Sequence, residues 1–170
     1  MDVETAIRTR RTHKAYGAEP VDRATLDELF ALATWAPNHN LTNPWRFRVV
    51  GPNALRRLKD AVGPEGAKKL DRAPTLVVVS ATKHDDPVQD EEDRDAAAVA
   101  AYIVLLAAHA RGLAGYWRTP GVLRGPEGQT AVGIDPGAEH VLGLLHLGPP
   151  RQEQRTPERQ PAAEVTVYLD

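Results

Sequence analysis

The chain has 170 residues, 42% of them apolar and 26% charged, with a net charge of −2 and no cysteine. That length makes one domain, residues 1–170, with a sizeable core. The near-neutral charge excludes bulk attraction to nucleic acid or an anionic membrane, and the missing cysteines exclude disulfides, thiolate metal sites and a cysteine nucleophile.

The start, Met1-Asp2-Val3-Glu4, is acidic and carries no apolar run, so no signal peptide is expected. The longest largely apolar run, Ala96 to Ala108, is too short to span a bilayer. The expected location is the cytoplasm. Asp2 is placed to cap a short helix through about Arg8, with Val3, Ala6 and Ile7 on its apolar face. Arg10-Arg11-Thr12-His13-Lys14 follows, then a loop at Tyr16 to Pro20. Asp22 caps a second helix, whose Leu26, Leu29, Phe30 and Ala33 have helical spacing. It must stop before Pro37.

Between Pro37 and Pro44 lies a loop rich in hydrogen-bonding groups: Asn38, His39, Asn40, Thr42 and Asn43. Such a loop is expected to grip a polar, planar ligand. Trp45, Phe47 and Val49 alternate with Arg46 and Arg48, the pattern of a half-buried strand. Asn53 to Val62 reads as a short helix. Thr75 to Ala81 is a continuous β-branched run and predicts a central strand. From about Asp90 to Arg111 the pattern predicts the longest helix, closed by Gly112. Its middle is apolar on all sides, which implies burial all round and a partner subunit over one face. Ala114 to Trp117 and Glu139 to Leu147 read as strands, with a small helix near Gln129 to Val132 between them. Arg151 to Pro161 is polar and without periodicity. Val165, Val167 and Leu169 alternate with Thr166 and Tyr168 and predict a terminal strand able to cross to a partner.

The candidate chemistry is concentrated in a few stretches. Arg10, Arg11, Thr12 and Lys14 could grip a phosphate, because guanidinium groups offer paired donors to its oxygens. The plainer reading is that they complement the C-terminal dipole of the first helix. His39 is a ligand contact or part of a turn built by its Asn neighbours. No histidine or carboxylate stands near it at metal-ligand spacing, so no metal site is expected. The acidic residues from Asp85 to Asp95 suit a helix start better than a cation site. Trp117 could pack on a flat ligand and Arg118 pair with a negative group, with Thr119 adding a hydroxyl. His109 and His146 lie among apolar residues and read as structural. No Gly-rich phosphate loop or nucleophile elbow is present.

Taken together, these stretches resemble the FMN-dependent nitroreductase family. Arg10-Arg11-Thr12-His13-Lys14-Ala15-Tyr16 is similar to that family's R-R-S-x-R-x-F signature. Ala36-Pro37 through Trp45-Arg46-Phe47 is similar to its A-P…P-W-R-F segment. Gly115 to Thr119 matches G-x-W-R-(S/T), and Val141 to Pro150 resembles the G-x-x-x-L-G-x-P strand end. The resemblance implies an α+β fold: a mostly antiparallel central sheet flanked by helices, with a long buried helix at a dimer interface. It implies a homodimer holding FMN at the subunit interface, reduced by NADH or NADPH and reoxidised by a nitroaromatic, quinone or related small-molecule acceptor. The alternative is a flavin protein without turnover that stores FMN or senses redox state.

By position, Arg10, Arg11 and Thr12 would hold the ribityl phosphate and the pyrimidine side of the ring. Lys14, standing where the family has Arg, keeps the charge with poorer bidentate geometry. Trp35 and His39 would reach the FMN of the other subunit, and Trp117, Arg118 and Thr119 would complete the contacts. No side chain is assigned as catalytic in the narrow sense. The segment Val50 to Asp71, where the family often carries a lid, is short, which implies an open pocket.

Overall fold

A computed structural model describes residues 1–169 of the chain. Four strands, β1 (Trp45–Val49), β2 (Thr75–Thr82), β3 (Ala114–Arg118) and β4 (Glu139–Gly148), form one sheet in the order β1-β2-β4-β3. Every neighbouring pair is antiparallel. The helices are α1 (Val3–Thr9), α2 (Arg23–Ala33), α3 (Pro52–Leu70), α4 (Pro87–Ala110) and α5 (Pro126–Ala131).

The strand period of two sorts the sheet's side chains between two cores. Val77, Val79, Ala81, Leu145 and Leu147 pack against α2 and α4. Leu76, Val78 and Leu144 face the other way, against Leu58 and Leu70 of α3 and Ala131 of α5. The result is three layers, helices on both faces of the sheet. The central strands β2 and β4 are covered on both sides, which explains the unbroken apolar run in β2.

The caps fall where carboxylates precede the helical pattern. Asp2 and Asp22 each accept a hydrogen bond from the backbone N–H three residues on, at 2.9 Å. The long helix starts earlier than its apolar pattern predicts. Asp86, not Asp90, is its cap and accepts from the N–H groups of Val88 and Gln89. It ends at Gly112, whose φ of +75° is the left-handed turn that glycine tolerates.

Three expectations need correction. The helix after β1 runs to Leu70 rather than Val62. Gly63, with φ +72°, breaks it, and Pro64 starts a second segment whose φ is already helical. This segment is no lid: its Leu58 and Leu70 are buried in the core on the sheet face away from α4. The tail from Val165 to Leu169 is not a strand. Val165, Val167, Tyr168 and Leu169 are all largely exposed, because no strand of their own chain pairs with them.

Two buried features have measurable consequences. His146 lies in β4 with both ring nitrogens buried and unpartnered. Burial pushes its pKa down to about 4, and nearby Arg118 and Arg72 add to the effect. Gly143, with φ +153°, sits at a bulge where β4 slips against β2. A methyl group there would collide with the Arg118 carbonyl and the Trp117 indole.

Unfolding raises the His146 pKa to its ordinary 6.5, so the unfolded chain binds the extra proton between about pH 6.5 and 4. Stability from neutral His146 is complete above that window and is lost on descending through it, by about 3 kcal/mol. His146→Leu should leave stability at pH 7.5 within about 1 kcal/mol of wild type, since no hydrogen bond is lost. It should also flatten the acid limb in urea unfolding measured across pH; parallel curves would contradict this. Gly143→Ala should lower stability by about 2 kcal/mol or more, read as a lower urea midpoint at unchanged slope.

Candidate functional site

The site is built along one side of α4. Ala98 and Tyr102 are one turn apart on that helix and so share a face. Beside Ala98 opens a cavity of about 380 Å³, lined on the sheet side by Trp117, Thr119, Leu142 and Gly143 and on the helix side by Glu91, Arg94 and Asp95. Beside Tyr102 stands Arg10, its guanidinium 5.9 Å from the ring centre in a cation–π contact. The strand β3 connects the same two places. Thr12 bridges to Gly115, and the His13 N–H donates to the Gly115 carbonyl at 3.2 Å. Thr119 is four residues further along, about 13 Å away at strand spacing.

At the Arg10 end a second cavity, of about 210 Å³, is lined by Arg10, Arg11, Thr12, Arg155 and Arg159. Four guanidinium groups and a hydroxyl border it, with no carboxylate. Arg11 donates to the backbone carbonyls of Arg8 and Arg10, which fixes its plane. The Nε of Arg10 is buried and has no partner. Arg10 and Arg11 are half-buried and Arg155 and Arg159 exposed; cations gathered without a counter-charge repel one another, and a phosphate supplies both the charge and the acceptors. These residues fit the phosphate end of an elongated ligand of the FMN kind.

The expected site residues fall into three sets. Arg10, Arg11 and Thr12 come together at the anion cradle, and Lys14 is exposed just outside it. Trp117 and Thr119 share the larger cavity. The Trp117 indole donates to the Leu142 carbonyl at 3.2 Å, and this bond fixes it as a wall. Arg118 is turned away. Strand alternation points it to the opposite face, towards His146, and its Nη1 is buried without a partner. Trp35 is 85% exposed, and His39 is exposed with its Nδ1 2.7 Å from Glu92 of α4. Neither borders these cavities.

His13 adjoins the cradle, and burial, then His109 and Arg10, lower its pKa, so it is neutral at pH 7. His109 is half-buried, with Nε2 2.8 Å from the Thr9 hydroxyl. Among the described residues no group of three or more His, Asp or Glu could hold a metal, and no helix is long and apolar enough to cross a membrane.

Two observations run against the sequence reading. The Asn amides and the Thr42 hydroxyl of the Asn-rich loop are taken up by the loop itself and by α4, not held free for a ligand. Asn38 Oδ1 accepts from the Asn43 N–H at 2.7 Å, Asn40 donates to Gln89 at 2.7 Å, and Thr42 donates to Asp93 at 2.5 Å. The acids Asp90, Glu92 and Asp93 are likewise engaged, with His140, His39 and this loop. Conversely, Arg155 and Arg159 were missed. Arg151, Arg155 and Arg159 recur every four residues in a Pro-containing stretch, and that density of cations was the available signal.

Comparison with known proteins is consistent with this layout. Residues 7–69, which include the cradle's N-terminal part and the Asn-rich loop, match the model of the Nitroreductase family. YfhC of Bacillus subtilis (strain 168), provisionally named an NAD(P)H nitroreductase, is 25% identical over 91% of this chain and 88% of its own. A nitroreductase-like family protein from Bacillus cereus superposes with a TM-score of 0.90 at 24% identity, over 100% of this chain and 97% of that one. A provisionally named nitroreductase from Desulfovibrio desulfuricans, solved in complex with FMN, gives 0.83 at 24% identity over 99% and 96%. Residues 7–69 thus resemble the nitroreductase family in sequence, and the fold is shared from end to end with that nitroreductase-like protein.

Proposed function

We propose that the protein is an FMN-dependent NAD(P)H oxidoreductase that acts as a homodimer and reduces nitroaromatics, quinones or related acceptors by a ping-pong sequence. The observation that carries this reading is the cradle of four arginines and a threonine, with a second cavity walled by a fixed indole further along the same side of α4; the reading takes the two as the ends of one furrow. FMN, when bound, supplies the chemistry: it takes hydride from NADH or NADPH and passes reducing equivalents to the acceptor.

The chain's own residues bind and orient. Arg10, Arg11, Arg155 and Arg159 hold the phosphate with charge-assisted hydrogen bonds, and Thr12 adds a hydroxyl donor. Trp117 and Thr119 form the wall beside the ring. No nucleophile or general acid of the chain is needed, and none is assigned. Entry and departure of two substrates at one open furrow suit the ping-pong order.

The dimer reading rests on α4. Val99 and Tyr102 are about 40% exposed, 41% and 38%, in the middle of the longest helix, while the opposite side of that helix is fully buried. Solvent-facing apolar residues there are explained by a second copy packing on them. The exposed Trp35 and the apolar tail residues Val165, Val167 and Leu169 suit the same partner. In that assembly Trp35 and His39 reach the other subunit's FMN.

Titration with FMN and with riboflavin separates the phosphate contact from the ring contact. Arg159→Ala and Arg10→Ala should each weaken FMN binding about 10-fold or more, the worth of one charge-assisted bond, and leave riboflavin binding little changed. Equal effects on both flavins, or none, would contradict the cradle's role. In sedimentation the wild type should run at twice the chain mass of 18.5 kDa, and Val99→Glu should run at that mass and retain less FMN. A dimeric Val99→Glu would remove α4 from the interface.

A further inference from the structure

We propose that Asp93 is a positioning residue for the flavin site of the partner subunit. This rests on the proposed dimeric FMN reading. The loop between α2 and β1 holds an unusual backbone: Asn40, Leu41 and Asn43 all have positive φ, at 58°, 50° and 50°. Asn adopts that conformation readily, but Leu does not. A loop strained in this way persists only where its surroundings over-determine it.

The over-determination comes from one buried carboxylate. Asp93 is 1% exposed, and its Oδ1 accepts from the Thr42 hydroxyl at 2.5 Å, the Gln89 amide at 2.8 Å and the Asn38 amide at 3.4 Å. Gln89, itself buried, accepts from Asn40 at 2.7 Å. Asn38 closes the ring by accepting from the Asn43 N–H. Three of these contacts join α4 to the strained segment, one braces α4 and one braces the loop, and none involves a cation. Three donors on one oxygen fix an angle as well as a distance, which one ion pair on the surface does not.

What this lock holds in place faces outward. Trp35 and Leu41 are 85% and 77% exposed, and His39 is anchored to Glu92 beside them. A loop strained inward and apolar outward is shaped to meet another surface. On the dimer reading that surface includes the partner's flavin ring, so Asp93 acts on the site through Trp35 and His39 without touching it.

The test compares Asp93→Leu, close in size, Thr42→Val, which removes one donor, and Asp93→Asn, which keeps an acceptor oxygen. Amide hydrogen exchange of the dimer should rise about 10-fold or more at residues 38–43 in Asp93→Leu, with β2 amides unchanged. FMN and riboflavin should both bind more weakly, unlike the phosphate-end variants, and acceptor KM should rise more than kcat falls. Thr42→Val should show a smaller version, and Asp93→Asn should recover most of the wild-type behaviour. Faster exchange throughout the protein would make Asp93 a stability residue and overturn the proposal, as would a loosened loop with unchanged flavin affinity. A wild-type protein that takes up no FMN would fail the flavin reading itself; loop exchange in that protein still decides whether Asp93 sets the loop's shape.

Discussion

The structure depends on how closely α4 can lie on the sheet. Ala97, Ala100, Ala101 and Ala108 are fully buried along one side of the helix, with Val104 and Leu105 among them, so its backbone approaches the sheet with mostly methyl groups between. Larger residues on that face would lift the helix and open the core, since interiors of native density leave no slack. Gly115 belongs to the same constraint: a methyl group there would strike Leu105 of α4. With the helix fixed against the sheet, its other side becomes the floor of the furrow, and its first turns become the anchor for the Asn-rich loop.

Charge is distributed along α4 so that each end has its own task. The acidic N-terminal third satisfies the loop and the His140 imidazole, where carboxylates also suit the helix dipole. The furrow near Tyr102 is instead bordered by arginines drawn from both ends of the chain, residues 10–11 and 155–159. A net charge of −2 therefore conceals a strongly positive cradle, and overall charge says little about the ligand.

Much of this was legible in the residues. Capping carboxylates at Asp2 and Asp22, the β-branched run of β2 and the apolar stretch of α4 announced their elements, because each signal is local. The Arg10-Arg11-Thr12 and Trp117–Thr119 stretches pointed to the furrow. Other features depend on partners distant in sequence. Nothing in Asn38 to Asn43 states that Gln89 and Asp93 will satisfy it, so the loop read as a binding surface. The helix expected over Asn53 to Val62 resumes after Gly63-Pro64 because Leu70 has a core to enter. The alternation that sends Trp117 to the cavity necessarily sends Arg118 away from it, a consequence of strand geometry hidden when the two are treated as one motif. Arg155 and Arg159 lie in a stretch with no periodicity, and only the fold brings them to Arg10.

The most direct test is the visible absorption spectrum of the purified protein, recorded without oxygen before and after NADH or NADPH, and then with a quinone or nitroaromatic. Flavin bands should bleach with the nucleotide alone and return when the acceptor is added in a separate step. A protein that shows no flavin and takes up none from added FMN would contradict the flavin reading.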